Sequence, residues 1–357
     1  MKHIIFSVFF LVFSSQAFAL ERYIVTGDDL YGIQLAIQQH GGNVVKGLSF
    51  KSAVVANING RVQKALQRKY GEGISFERDV VFSINARKAP PSQPKQTIPW
   101  GVDRIGSPQA FLQSRGLGVT VCVVDTGVDL DHPDLQANIV GGINTINSRR
   151  TANDDNGHGT HVAGIIAALD NAIGVVGVAP DAKIFAIKGL NSQGSGWSSD
   201  LAEGIYACIN NNTRVINMSW GSATPSQIIY DALLDAYNAG LVLVAAAGNE
   251  SSGVIYPAAH PEVLAVSAID SNMQLAWFSN YGPEIDYAAP GVSINSTYLN
   301  GGYRILNGTS MASPHVAGVV ALWLSSGSLG LVGEDINLQP YFQGNGLIDA
   351  DATVNNF

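Results

Sequence analysis

The sequence predicts an α/β protein: a parallel sheet covered by helices on both faces, preceded by a small α+β unit of ferredoxin-like order. Three observations carry that prediction. From Ile98 onward, apolar runs without polar alternation are separated by Gly-rich turns and helical stretches, the pattern of strands buried on both faces. Ahead of them, residues 20–95 follow a strand–helix–strand–strand–helix–strand rhythm. Between the two, Ala89-Pro90-Pro91-Ser92-Gln93-Pro94-Lys95 must be extended, because a residue preceding proline is pushed out of helical geometry.

The chain opens with a short basic head, Met1-Lys2-His3. An apolar run from Ile4 to Phe13 follows, too short to cross a bilayer, and then a small-x-small site, Ala17-Phe18-Ala19. Residues 1–19 are expected to be a signal peptide, and the product to be secreted, outside the cell or into a periplasm. No later stretch is apolar for long enough to span a membrane, so the mature form is expected to be free of one. With 357 residues, 46% hydrophobic and 13% charged, the chain can bury a large core. Cys122 lies in an apolar strand and Cys208 in a predicted helix; two buried thiols are expected, with a single bridge the alternative because the chain looks exported.

Within 20–95, Tyr23-Ile24-Val25 reads as a strand and Asp28 to Gln39 as a helix stopped by Gly41-Gly42. Val44 to Ile58 reads as a strand pair, Arg61 to Tyr70 as a second helix stopped by Gly71, and Ile74 to Ile84 as one last strand. This unit holds eleven Lys/Arg against six Asp/Glu, whereas the chain after Lys95 holds eight against twenty-two. A basic small unit and an acidic large one should attract each other. Nucleic acid is not the expected partner of the basic unit, which has neither an aromatic platform nor an Arg-rich stripe.

In the large unit, Val119 to Val124, Ile184 to Ile187, Val215 to Met218 and Leu241 to Ala245 read as parallel strands. Chemistry in such sheets gathers at the carboxyl ends of the strands. Asp125 lies at one such end, and Asn249 follows another in Ala246-Ala247-Gly248-Asn249. His158 enters an apolar helix in Asn156-Gly157-His158-Gly159-Thr160-His161-Val162-Ala163-Gly164. Ser310 opens a second in Asn307-Gly308-Thr309-Ser310-Met311-Ala312-Ser313-Pro314-His315, where unpaired N–H groups and the helix dipole favour a developing anion. Pro314 is expected in the first turn of that helix. Acyl transfer by serine needs a base that titrates near neutrality and a carboxylate to fix its tautomer. Asp125, His158 and Ser310 supply that set, with the Asn249 amide, the Ser310 N–H and, more weakly, the Thr309 hydroxyl as oxyanion donors. Met311, beside the nucleophile, is an expected site of oxidative inactivation.

Three motifs in order, Val123-Val124-Asp125-Thr126-Gly127-Val128, Asn156 to Gly164 and Gly308 to Gly318, make the chain resemble a subtilisin-like serine protease, a subtilase. The resemblance runs from about Ile98 to Asp349, and residues 20–95 resemble the family's inhibitory propeptide, leaving 96–357 as catalytic domain. It implies a secreted endopeptidase of broad specificity, autoprocessed from a zymogen, monomeric, acting on protein and peptide substrates and inhibited by its own propeptide. It also implies that substrate lies extended between Gly194-Ser195-Gly196 and Ser219-Trp220-Gly221, with Ala246, Ala247 and Gly248 lining the pocket for the residue before the scissile bond. Trp220 stands where the family commonly has leucine. A lipase-like esterase would need a Gly-x-Ser-x-Gly elbow and the order Ser…Asp…His, and neither is present.

His158 and His161 are three apart, but zinc is not expected, because there is no His-Glu-x-x-His motif and no third ligand. Calcium is expected: Asp129, Asp131 and Asp134 crowd one loop, which suits a hard cation. The family's calcium site maps to the side chains of Gln96, Asp134 and Asn171 and the carbonyls of Leu169, Ile173 and Val175. No organic cofactor is expected, and His132 and His315, flanked by Pro133 and Pro314, are read as structural.

Overall fold

The structure, a computed structural model, describes residues 19–84, 87–91 and 95–357. The expected signal run and all but the last residue of its cleavage site lie outside the described residues, as do Ser92–Pro94 of the linker. The chain forms two compact units, one ending at Asp79 and the other running from Val80 to Phe357.

The first unit runs β1 (Glu21–Gly27), α1 (Leu30–Gln39), β2 (Asn43–Leu48), β3 (Ala53–Ile58), α2 (Gly60–Tyr70) and β4 (Ile74–Arg78). The four strands form an antiparallel sheet in the order β2-β3-β1-β4, the ferredoxin-like arrangement expected from the element order. Asp29 caps α1 by accepting from Gly32 N at 2.9 Å, and Asn59 caps α2 by accepting from Arg61 and Val62 N at 3.1 Å, so both helices start on side chains suited to the task. Val25, Ile33, Ile37, Val54, Ile58 and Leu66 close the core between helices and sheet. The strand expected over Ile74 to Ile84 is two strands. Asp79 ends the first, its N–H donating to Arg22 O at 3.1 Å and its carboxylate accepting from Arg22 Nε at 2.7 Å. The next segment belongs to the second unit.

That unit contains β5 (Val81–Ile84), β6 (Arg87–Pro91), α3 (Trp100–Arg104), α4 (Ser107–Ala110), β7 (Thr120–Asp125), β8 (Ile139–Asn144), α5 (His158–Ala167), β9 (Lys183–Lys188), β10 (Ser195–Trp197) and α6 (Ser198–Asn210). It continues through β11 (Val215–Met218), β12 (Trp220–Gly221), α7 (Gln227–Asn238), β13 (Val242–Ala246), β14 (Val263–Ile269), β15 (Ile285–Pro290), β16 (Ile294–Tyr298), β17 (Gly302–Asn307) and α8 (Thr309–Ser326). It ends with β18 (Val332–Glu334), α9 (Pro340–Gln343), β19 (Leu347–Asp349) and α10 (Ala350–Val354).

Nine strands form the main sheet in the order β18-β19-β15-β14-β13-β11-β7-β9-β8, parallel except for the edge strand β18. α5 and α8 pack on each other and on the sheet, and α6 and α7 form a second packed pair against it. Both α5 and most of α8 are buried all round, which explains why neither sequence shows an amphipathic stripe. This arrangement delivers Asp125 and Lys188 at the C-terminal ends of neighbouring strands, and Ala246 at the end of β13.

The two cysteines take the alternative of a bridge, not the expected pair of free thiols. Cys122 in β7 and Cys208 in α6 are joined in a disulfide across a Cα–Cα distance of 5.8 Å. Their spacing along the chain gives no hint of this; the packing of α6 on β7 brings them together.

Candidate active site

β7 ends at Asp125, whose Oδ1 accepts from Thr126 N at 2.7 Å and from His158 Nδ1 at 2.7 Å. Both side chains are buried. His158 is the first residue of α5, and the glycines on either side answer to close approaches. A Cβ at Gly159 would lie 2.1 Å from Gly127 O, and one at Gly157, where φ is +100°, would lie 2.3 Å from the Tyr298 ring. The helix can therefore begin directly against the turn that carries Asp125.

Sequence reasoning missed Asp154, which organises this start. Its carboxylate accepts from the N–H groups of Asn156, Gly157 and Thr160 and from the Thr160 hydroxyl at 2.6 Å, satisfying orphan donors at the helix entry. Burial pushes its pKa above the usual carboxylate range, against the pull of those hydrogen bonds. The signal was there in Asp154-Asp155-Asn156-Gly157, an Asx-type helix entry.

Ser310 is the second residue of α8, after Gly308 in an extended turn. Its hydroxyl donates to Ser219 O at 3.0 Å, and His158 Nε2 is buried without a partner among the described residues. The Asp–His half of the expected set is thus assembled, while the serine hydroxyl is turned to a carbonyl of the neighbouring strand. Asn249 is fixed by its Oδ1, which accepts from Thr309 N at 2.9 Å and from the Thr309 hydroxyl at 3.0 Å. The Thr309 hydroxyl also accepts from Gly248 N at 3.1 Å, so it positions Asn249 from the side.

Pro314 is not in the first turn as expected; it sits inside α8. A proline there removes the N–H that would bond Ser310 O four residues back. The Ser219 hydroxyl takes that place, donating to Ser310 O at 2.9 Å. Ser219 is held in turn by Asn217 Nδ2 at 2.9 Å, and Asn217 Oδ1 accepts from the Ser313 hydroxyl at 2.8 Å. Met311 is fully buried in the core behind the site, which shields its sulfur from solvent.

The two expected substrate segments lie on either side of β5. Gly194-Ser195-Gly196 lies at β10 and Ser219-Trp220-Gly221 at β12, and β5 pairs antiparallel with both. Phe82 stands opposite Gly196, Ser83 opposite Ser195 and Gly221, and Ile84 opposite Trp220. The Phe82 ring is buried edge-on against Trp220 at 5.1 Å. Trp220 is itself fully buried and donates from Nε1 to Val124 O at 2.7 Å, so it is both a core residue and the floor under Phe82. β6 pairs antiparallel with β17, the strand that leads through Gly308 to Ser310, Arg87 opposite Asn307. Ala246 ends β13 and Ala247 and Gly248 follow it; Gly248 adopts φ +110° where a Cβ would meet Asn280 at 2.3 Å.

Gln96, Asp134 and Asn171 converge as expected. Asn171 Nδ2 donates to Asp134 Oδ1 at 2.7 Å, and Asn171 N donates to Gln96 Oε1 at 2.6 Å. Val175 N at 3.0 Å and the Tyr303 hydroxyl at 3.2 Å donate to Asp134 Oδ2, and Leu169 N donates to Asp134 O, so the 169–175 loop wraps this carboxylate. Asp134 has no Lys or Arg partner among the described residues, and burial raises its pKa. His161 turns Nε2 to the carbonyls of Ile294 and Arg304, and burial holds its pKa down to about 3; it points away from any shared ligation with His158. His132 bonds Gly302 O, and His315 bonds Met311 O, in the structural roles expected.

Residues 116–333 match the profile of the Subtilase family. The thermostable alkaline protease of Halalkalibacterium halodurans is 49% identical over 268 residues, 71% of this chain and 73% of that protein. Subtilisin Savinase of Lederbergia lenta is 48% identical over 231 residues, 64% of this chain and 84% of its own. Subtilisin E of Bacillus subtilis is 42% identical over 296 residues, 81% of this chain and 74% of its own.

Proposed function

The chain belongs to the subtilase family and is a serine endopeptidase, and from that premise we propose which residues carry the reaction. Ser310 attacks the scissile carbonyl and passes its proton to His158 Nε2, which returns it to the leaving amine. Asp125 holds the Nδ1–H of His158 and stabilises the imidazolium. The Asn249 amide and the Ser310 N–H receive the oxyanion. The observation that carries this reading is the buried 2.7 Å contact of His158 Nδ1 with Asp125, which leaves Nε2 as the one ring nitrogen for the serine. A rotation of Ser310 about χ1, away from Ser219 O, completes the set.

Substrate adds as a strand between Gly194-Ser195-Gly196 and Ser219-Trp220-Gly221, as β5 does. Ala246, Ala247 and Gly248 form the pocket for the residue before the cut, and no acidic cluster marks it for basic residues, which favours broad specificity. Residues 1–19 direct secretion, 20–95 act as propeptide and 96–357 as catalytic domain. Support for self-processing comes from β5 and β6: β5 pairs with β12, which follows the Ser219 carbonyl that holds the Ser310 hydroxyl, and β6 pairs with β17, which leads into Ser310. The positive surplus of the propeptide against the acidic catalytic domain strengthens its hold as inhibitor. Among the described residues no helix is long and apolar enough to cross a membrane. The mature enzyme acts as a monomer.

Calcium fits the loop at Asp134: the carboxylate is buried without a Lys or Arg partner among the described residues, and Gln96 and Asn171 stand beside it, Asn171 with its NH2 toward Asp134, so a turn of that amide would bring its oxygen to a hard ion. The carbonyls of Leu169, Ile173 and Val175 would complete it. When bound, the ion supplies charge that neutralises Asp134 and ties the 169–175 loop to residue 96.

Intact mass of secreted wild type beside Ser310→Ala, each expressed from the full precursor, tests the reading. Wild type is expected to have lost everything up to a point between Ala86 and Gln96, while the variant keeps its 20–95 unit and digests no casein. Equal masses together with retained casein digestion by Ser310→Ala would overturn it.

A further inference from the structure

Lys188 is a lysine with almost no exposed surface, placed where the two turns of the catalytic pair meet. It ends β9 opposite Asp125 in parallel register. Its side chain is 7% exposed. Nζ donates to Thr126 O at 2.8 Å, to Leu190 O at 3.1 Å and to Asp155 Oδ1 at 2.6 Å. An ammonium has three donors, and all three are used.

The acceptors come from different parts of the site. Thr126 follows Asp125; its N–H donates to the Asp125 carboxylate, and its hydroxyl accepts from Gly159 N at 2.9 Å. Asp155 lies in the entry to α5, one residue before Asn156, which donates to Ser192 O at 2.8 Å and accepts from the Tyr298 hydroxyl at 2.8 Å. Two residues later comes His158. One buried charge therefore joins the turn that presents Asp125 to the loop that presents His158.

We infer that Lys188 and Asp155 form a clamp that positions His158 against Asp125. Lys188 touches no reacting atom; it acts through the two turns, as a positioning residue. Asp155 is half exposed, with 51% of its side chain in solvent, and asparagine there keeps an oxygen to accept from Lys188, so Asp155→Asn removes the charge without leaving the third ammonium donor unmet. Its substitution therefore separates positioning from stability.

The sign of the electrostatic effect follows from the charges around His158: Asp125 from β7, Asp154 and Asp155 from its own loop, His161 from α5 and Lys188 from β9. His161 stays neutral in its buried place. Removing the Lys188 charge favours the imidazolium and raises the acid limb of kcat/KM; removing the Asp155 charge lowers it. Each shift should be about 0.2–0.5 pH unit for a screened charge near the ring.

The inference rests on the proposed roles of Asp125, His158 and Ser310, and the experiment keeps the two apart. Wild type, D155N, K188M and K188R, matured from the full precursor, are assayed on a chromogenic peptide across the acid limb, with S310A as blank. D155N is expected to lose about threefold in kcat with KM within twofold, an acid limb moved down and an unchanged melting temperature. K188M should lose tenfold or more, with K188R restoring most of it. A D155N enzyme with the kcat or the acid limb of wild type overturns the clamp, whether or not K188M accumulates. An active S310A overturns the triad assignment instead.

Discussion

The disulfide between Cys122 and Cys208 has a stability effect that its loop length sets. Cys122 and Cys208 close a loop of 86 residues that contains Asp125, His158 and the Ser195–Trp197 strand. In the chain-entropy description, cross-linking a loop of that length lowers the entropy of the unfolded chain by about 15 cal/mol/K, or about 4.6 kcal/mol at room temperature. The perturbation is the double substitution Cys122→Ala/Cys208→Ala, made in a Ser310→Ala background so that self-digestion does not distort the measurement. Guanidinium unfolding of the two proteins, followed by tryptophan fluorescence, should show a loss of 4–5 kcal/mol in the large unit, roughly as the loop length demands. Both sulfurs are fully buried, so dithiothreitol should leave the folded enzyme active yet prevent it from regaining full stability after unfolding. A loss below about 1 kcal/mol would refute the loop-entropy reasoning. So would rapid reduction of the native protein, which would mean that α6 leaves β7 easily.

Three other expectations follow from particular side chains. Asp134→Asn should abolish the rise in melting temperature that calcium gives wild type, and chelator should lower only the wild-type value; the same calcium response in both would remove Asp134 from the site. Peptides with phenylalanine at the register of Phe82 should be cleaved several-fold faster than those with alanine, a preference of about 1–1.5 kcal/mol for an aromatic pair that Trp220→Leu should erase in kcat/KM. His315 is buried with its pKa lowered to about 4, chiefly by desolvation. The unfolded chain takes up that proton from about pH 6.5 downward and the folded one does not, so stability falls by about 1.4 kcal/mol per pH unit until about pH 4. His315→Gln should flatten the acid side of a stability–pH curve by one proton, and an unchanged slope would show that His315 is not the group responsible.

Much of the site is legible in the sequence because its residues announce themselves locally. Asp125 closes a continuous apolar run, His158 and Ser310 open apolar helices behind glycine, and the spacing of glycines reflects backbones that nearly touch. The ferredoxin-like unit is legible for the same reason: each helix begins on an Asp or Asn cap and has a glycine just past its end, Gly41 after the His40 cap of α1 and Gly71 as the cap of α2. Periodicity, caps and turn chemistry are properties of neighbouring residues, so the linear chain determines them.

The tertiary structure decided whatever depends on residues far apart in sequence. Cys122 and Cys208 are separated by 86 positions, and only the docking of α6 on β7 makes them a bridge. Pro314 can stay inside α8 because the Ser219 hydroxyl, from the junction of β11 and β12, takes over the Ser310 carbonyl. Ile74 to Ile84 reads as one strand until Asp79 pairs with Arg22 and the remainder joins β10 and β12. Lys188 looks in the sequence like an interruption of an apolar strand; Thr126 O and the Asp155 carboxylate, brought from two distant segments, make it a buried charge. In each case a polar group or a thiol left without its local partner found one across the fold. No window of sequence contains both ends of such a contact.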